Sequence, residues 1–109
     1  MAQKQGIIIK TDGTIEDTTI DGLKDMQAIV GGLIERACSV EDADMWCNEE
    51  GLLLHFPINH KATELRAKDG DALLSRFPVV GDVLILGACD HCGDSGNVSQ
   101  AARDAVAAV

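Results

Sequence analysis

Apolar residues in this chain occur in short runs, and this feature limits the fold more than any other. The longest runs, residues 6–9 and 83–88, fall far short of the ~20 residues that a membrane-spanning helix needs. Short β-branched runs bounded by turn residues are typical of β-strands. We therefore predict a sheet of short strands and no membrane association.

Turn signals separate six predicted strands, which are residues 6–10, 14–19, 33–40, 45–47, 52–56 and 79–87. The Thr-Asp-Gly turn at residues 11–13 predicts a hairpin between the first two strands. Asn-Glu-Glu-Gly at residues 48–51 predicts the tip of another hairpin. Its second arm should end at Pro57, because proline cannot donate a hydrogen bond to a neighbouring strand. Residues 41–44 are predicted to form an acidic loop.

Helices are predicted where a capping residue precedes apolar residues at helical spacing. Asp21, Asn59 and Ser99 are the predicted N-caps, since their side-chain oxygens can accept hydrogen bonds from the first helical turn. The expected helices run from Asp21 to the glycines at 31–32, over residues 60–68, over residues 72–77, and from Ser99 to the end of the chain.

The order of these elements predicts an α+β fold, mainly an antiparallel sheet with two or three short helices packed on one face. A length of 109 residues suits one domain. Residues 1–92 are predicted to form a single α+β domain, and residues 93–109 a flexible joint and a C-terminal helix. Because that helix is rich in alanine and weakly apolar, we expect it to dock loosely or against a second copy, which would give a homodimer.

The charge balance excludes several partners. Nine Lys and Arg against 18 Asp and Glu give a net charge of −9, which repels nucleic-acid phosphates and anionic lipids. Two interpretations of the acidity stay open: a solvated surface, and a DNA-mimicking inhibitor that occupies a basic groove on a partner. Only three isoleucines follow the N-terminal residues 1–6, too few for the core of a signal peptide, so a cytoplasmic location is expected.

Four cysteines form the main candidate for chemistry. Cys89 and Cys92 have the C-x-x-C spacing of a zinc knuckle, and a hairpin at residues 42–43 would bring Cys38 almost opposite Cys47 to complete a tetrahedral site. His91 is a substitute ligand. Two alternatives stay open: a redox pair in which the histidine lowers a thiol pKa, and reduced thiols that only pack.

Polar residues cluster where predicted elements end, and a ligand pocket is predicted there. Its residues are Asn48, Glu49, Glu50, Asn59 and Thr63. Local structural roles compete with ligand binding, since Asn and Gly favour turns and Asn59 favours a helix cap. No nucleophile has a recognisable base and no phosphate-binding glycine loop is present, which favours a non-enzymatic protein. An enzyme whose site is completed across a dimer interface stays open.

Three segments together resemble a known family. They are VGGLIE at residues 30–35, CNEEGL through PIN to AT at residues 47–63, and VGDVLI at residues 80–85. Their order and spacing resemble a small uncharacterised domain family of phages, plasmids and their hosts, over about residues 6–87 and without the C-terminal helix. The resemblance implies a compact α+β domain and a mobile-element context, with no established activity. We therefore predict an accessory module that binds a protein or a small ligand, with a zinc-stabilised or thiol-active protein as the alternative.

Overall fold

In a computed structural model, which describes residues 3–68, 78–89 and 95–109, the chain forms six strands and three helices. The strands are β1 (Lys4–Ile9), β2 (Ile15–Ile20), β3 (Ile34–Val40), β4 (Ala43–Asn48), β5 (Val83–Cys89) and β6 (Ser95–Gly96). The helices are α1 (Leu23–Val30), α2 (His60–Lys68) and α3 (Gln100–Ala107). None of these helices is long and apolar enough to cross a membrane.

The strands form one antiparallel sheet in the order β2-β1-β5-β4-β3, with β6 paired to the end of β5. β5 lies at the centre: Val83 pairs with Ile9 of β1, and Ile85 pairs with Met45 of β4. The strand is apolar at every position from 83 to 86 and completely buried there. This pattern is typical of a strand covered on both faces.

Each face of the sheet packs against its own helices. Val83 and Ile85 point to the core formed with α2 and α3, whereas Leu84 and Leu86 point to a smaller core with Met26 of α1. The predicted α+β class with an antiparallel sheet is confirmed. Two helices, α2 and α3, pack on one face as predicted, and α1 covers the other face, because alternate residues of a wholly apolar strand need cover on both sides.

The helix caps follow the sequence signals in two cases of three. Ser99 accepts from the Ala102 amide at 3.1 Å and begins α3, as predicted. Asn59 begins α2 in the same way, since its Oδ1 accepts from the Ala62 amide. The prediction that Asp21 caps α1 is wrong: the N-cap is Gly22, without a side-chain cap, and Asp21 instead donates its amide to the Asp25 carboxylate at 2.7 Å.

One predicted loop and one predicted strand differ from the structure. The acidic loop is shorter than predicted, because β4 begins at Ala43 and the turn reduces to Glu41 and Asp42. Residues 52–56 were expected to form a strand, which is wrong, since they form a turn. The predicted helix over residues 72–77 lies outside the described residues, as do residues 93–94 of the predicted joint.

Candidate functional site

Residues 51–56, here called the leucine turn, replace the predicted second arm of a hairpin. The Leu54 amide donates to the Glu50 carbonyl at 2.9 Å, as in one turn of a helix. The amides of His55 and Phe56 then donate to the carbonyls of Leu52 and Gly51, and His55 has a left-handed backbone with φ 59°. These two bonds around a left-handed residue are the pattern that ends many helices, so the turn is closed by backbone hydrogen bonds.

The Phe56 ring anchors the leucine turn against glycine backbone. A Cβ atom added at Gly81 would lie 2.7 Å from the ring, and one added at Gly31 or Gly51 would lie 3.7 or 3.6 Å from it. Gly81 also has a φ of 76°, which disfavours any other residue. Its amide donates to the Pro57 carbonyl at 2.8 Å, which ties the exit of the turn to the start of β5. The three segments of the sequence resemblance therefore meet around one aromatic ring.

The leucine turn presents three consecutive leucines to solvent. Leu52 is 53% exposed, Leu53 79% and Leu54 52%. Single exposed leucines are ordinary on protein surfaces, whereas large contiguous apolar patches are typical of interaction sites. Glu49 and Glu50, both exposed, directly precede the turn. The surface is thus an apolar tip with an acidic border.

Asn48 lies beneath the leucine turn as a structural link. It is buried, its Nδ2 donates to the Val30 carbonyl at 3.1 Å, and its Oδ1 accepts from the Glu50 amide at 2.7 Å. These bonds join the end of α1 to the start of the turn. Asn48 was predicted to contact a ligand. In the structure, both the Nδ2 and the Oδ1 of its side chain form hydrogen bonds with the protein backbone.

Asn59, which is buried, and Thr63, which is half-buried, form a second polar group. The Asn59 Nδ2 donates to the carbonyls of Ile9 and Gly81 at 2.9 and 3.0 Å, while its Oδ1 accepts from the Ala62 amide at 3.1 Å. The Thr63 hydroxyl donates to the Asn59 carbonyl and accepts from the Val79 amide. Both side chains connect α2 to the sheet, and neither lines the cleft described next.

A cleft of about 280 Å³ lies beside the leucine turn and shares Leu52 with it. Its other lining residues are Glu35, Arg36, Ala37, Cys47, Asn48, Glu49, Arg66, Pro78, Val79 and Val80. The structure thus brings Asn48 and Glu49 of the predicted pocket into one cavity. Glu50, Asn59 and Thr63 do not line it.

Cys47 faces this cleft as a protonated thiol at neutral pH. Burial raises its pKa to about 11, and the nearby Glu35 carboxylate acts in the same direction, while the Arg66 guanidinium opposes them. Because the thiolate is the nucleophile and the metal-binding form, this environment does not activate the residue.

The predicted metal ligands are only partly described. Cys38 and Cys47 are buried, but a bulge after Arg36 pairs Cys38 with Met45 and Cys47 with Glu35, so the two are offset and not opposite. Cys89 ends β5, and Cys92 and His91 lie outside the described residues. Within the described part of the chain, no three His, Cys, Asp or Glu side chains group as metal ligands. The zinc and redox hypotheses stay predictions.

The fold and the site define a small α+β domain with an ordered apolar turn at one end of its sheet. The chain belongs to the family described as Domain of unknown function (DUF3846), whose model matches residues 4–107. This confirms the predicted membership of an uncharacterised family. The match includes α3, so the expectation that the C-terminal helix lies outside the shared pattern is wrong. No match was found among curated proteins or among solved structures.

Proposed function

We propose that this protein is a non-enzymatic binding module whose leucine turn docks into an apolar pocket on another protein. The proposal depends on one observation: Leu52, Leu53 and Leu54 are each at least half exposed on a turn whose backbone is held by hydrogen bonds. Covering apolar surface contributes roughly 25 cal/mol per Å². An ordered turn also loses little conformational entropy when it binds, which favours affinity.

The charges around the turn specify the chemistry of the partner. Glu49 and Glu50 border the leucines, and the whole chain carries a net charge of −9. A partner pocket with basic residues at its rim would be attracted over a distance of about 10 Å, a screening length typical of moderate salt. A pure DNA mimic would present carboxylates alone, so the leucines favour a protein pocket over a nucleic-acid groove.

The cellular role and location of the protein belong to the same proposal. A role as an accessory factor of a phage or another mobile element, acting in the cytoplasm, agrees with the sequence resemblance and with the acidic charge. A second copy of the chain and a small ligand are the competing occupants. In the experiment below a second copy would give an adduct of twice the chain mass, and a small ligand would give no protein adduct; either result would contradict the proposal. The zinc or thiol alternative has no support among the described residues.

Site-specific photo-crosslinking tests the proposal. A photo-reactive amino acid placed at position 53 in the expressing cell should give a covalent adduct with one heterologous protein, and one placed at position 23 should not. Leu23 is the matched control, since it is 55% exposed but lies on α1. Adding Leu54→Ser should abolish the adduct, while adding Leu23→Ser should leave it unchanged.

Three results would overturn the proposal: equal adducts from both positions, an adduct that survives Leu54→Ser, or an adduct of twice the chain mass, which identifies a second copy. Raising the salt concentration should weaken the adduct of the wild-type chain more than that of Glu49→Gln/Glu50→Gln, because the acidic border supplies the screened part of the attraction. Thermal unfolding of each variant confirms that it is folded, since exposed substitutions change stability by about 0.5 kcal/mol or less.

A further inference from the structure

The described strands leave two edges of the sheet, β2 and β3, and the two edges differ. β3 has a bulge after Arg36, which interrupts its row of backbone groups. β2 pairs with β1 in unbroken register and contains no proline, lysine or bulge, the usual features that keep other strands away from an edge. Ile15 is 39% exposed, and only Ile20 of this strand is buried. The β2 edge is therefore open to another strand.

Both acidic side chains of β2 are balanced by cations of the same chain. The Glu16 carboxylate lies 3.2 Å from the Lys10 ammonium group. The Asp17 carboxylate accepts a hydrogen bond from the guanidinium of Arg103 on α3. Exposed ion pairs contribute little to stability, but here they reduce the repulsion that two negatively charged chains would meet at this edge.

The hairpin shows which backbone groups of β2 point outward. The Lys10 amide donates to the Thr14 carbonyl at 2.9 Å, and in an antiparallel pair the residues bonded across the ladder alternate. Even-numbered residues of β2 therefore bond to β1, whereas the amides and carbonyls of Ile15, Asp17 and Thr19 point away from it. Among the described residues, these outward groups have no hydrogen-bond partner.

We propose that β2 pairs antiparallel with β2 of a second copy of this chain, around a two-fold axis at Thr18. This register places the outward groups of Asp17 opposite those of Thr19 in the other copy, which allows about four backbone hydrogen bonds across the axis. The two Thr18 side chains lie opposite each other, and cross-strand threonine pairs are favourable. The two sheets would then form one continuous sheet.

The charges of β2 select this register over its neighbours. An axis at Asp17 or Glu16 would bring two identical carboxylates directly opposite each other, which is unfavourable. An axis at Thr19 would place Asp17 opposite Asp21 of the other copy. Only the axis at Thr18 joins the outward backbone groups of both strands and keeps carboxylates apart. β2 is thus its own complement, which favours a second copy over an unrelated strand.

Sedimentation equilibrium over a range of chain concentrations tests this dimer. The wild-type chain should pass from one to two chain masses at or below about 1 mM. Thr18→Lys puts two lysines opposite each other at the axis and should weaken the dimer about five-fold. Thr19→Lys changes the net charge equally but puts each lysine opposite Asp17 of the other copy, so it should strengthen the dimer. Thermal unfolding shows whether each variant is folded.

A disulfide at the axis tests the register directly. Cα atoms of directly opposed residues in a non-hydrogen-bonded pair lie about 4.5 Å apart, within the range of a disulfide. Under oxidised glutathione, Thr18→Cys should therefore form a covalent dimer. Glu16→Cys, exposed on the same face of β2, should not, because Ile20 of the other copy would lie opposite it. The wild-type chain controls for its own four cysteines.

The proposal is wrong if the chain keeps a single chain mass up to about 1 mM. It is also wrong if Thr18→Lys and Thr19→Lys change the dimer equally, because net charge and not the register would then decide association. Leu53→Ser should leave the dimer unchanged, since β2 lies at the opposite edge of the sheet from the β3–β4 hairpin that leads into the leucine turn. A dimer lost in Leu53→Ser would form through the leucine turn and would overturn the proposal.

Discussion

The Asn59 region buries a polar side chain, whereas the leucine turn exposes apolar side chains. Asn59 is completely buried and uses its amide in three hydrogen bonds, whereas Leu53, six residues earlier, is 79% exposed. Asparagine is mostly exposed in proteins and leucine mostly buried. The difference arises because the junction of β1, α2 and β5 leaves backbone donors and acceptors that one side-chain amide can satisfy together, whereas the last three amides of the turn already donate to carbonyls of residues 50–52. The buried polar side chain holds the fold together, and the exposed apolar side chains form the surface of the leucine turn.

Substitution of Asn59 should have the largest effect on stability. Asn59→Ala would leave the carbonyls of Ile9 and Gly81 without their donor and α2 without its cap, at a cost of about 4 kcal/mol. Asn59→Asp keeps the capping oxygen but loses the donor, so it should also destabilise. Urea unfolding measures both. Asn97→Ala is the control, because Asn97 is exposed and accepts one bond, from the Gln5 amide; a loss from Asn59→Ala no larger than that of Asn97→Ala would contradict the structural role.

Substitution of Gly81 tests the support of the leucine turn. Gly81→Ala should cost about 2.5 kcal/mol, because the new Cβ would overlap the Phe56 ring and φ is positive. Gly13→Ala separates the two causes: its φ is 91°, but the nearest atom, Lys61 Cε, is 3.8 Å away. Gly13→Ala should therefore cost only about 1 kcal/mol. Equal losses of stability from Gly81→Ala and Gly13→Ala would show that the Phe56 ring is not packed tightly against Gly81.

Turn and capping residues correctly predicted the hairpin and the helices that depend on neighbouring residues alone. The β1–β2 hairpin follows from Thr-Asp-Gly, and α2 and α3 follow from Asn59 and Ser99. The position of α1 on the second face was not predicted although a signal existed, since four successive apolar residues in β5 indicate burial on both faces. A bulge after Arg36 depends on long-range packing and has no comparable signal.

The ligand pocket predicted around Asn48 and Glu49 stays a prediction. The leucines that follow were assigned to the second arm of a hairpin, whereas they form a turn. Three adjacent leucines lack the alternation of a half-exposed strand, and the flanking Gly51 and Pro57 favour a turn. The Phe56 ring at the end of this turn packs against Gly31, Gly51 and Gly81, and these long-range contacts are decided only by the assembled fold.

The pH dependence of the free energy of unfolding tests the burial of Cys47, which lines the cleft beside the leucine turn. Its pKa of about 11 in the folded chain exceeds the ordinary value of 9.0. The folded state therefore holds this proton more tightly, and the resulting stabilisation is complete below pH 9 and lost as pH rises through 11. Cys47→Val removes this contribution, so the difference in unfolding free energy between the two chains should change by roughly 2 kcal/mol over that range. A constant difference would contradict the burial of the thiol.

Substitution of His55 should have the smallest effect and the opposite sign. His55 closes the leucine turn with φ 59°, whereas Gly31 closes α1 in the same way with φ 83°. A left-handed residue other than glycine is strained, so His55→Gly should stabilise the chain by about 0.5 kcal/mol after the greater flexibility of unfolded glycine is included. Glu41→Gly is the matched control, since Glu41 has φ 57° at the β3–β4 turn, far from the leucines in sequence. Both should raise the unfolding midpoint in urea, and neither should change the crosslink at position 53. If His55→Gly alone abolishes the crosslink while both variants gain stability, the imidazole itself belongs to the binding surface, and the apolar description of the leucine turn must be extended to include it.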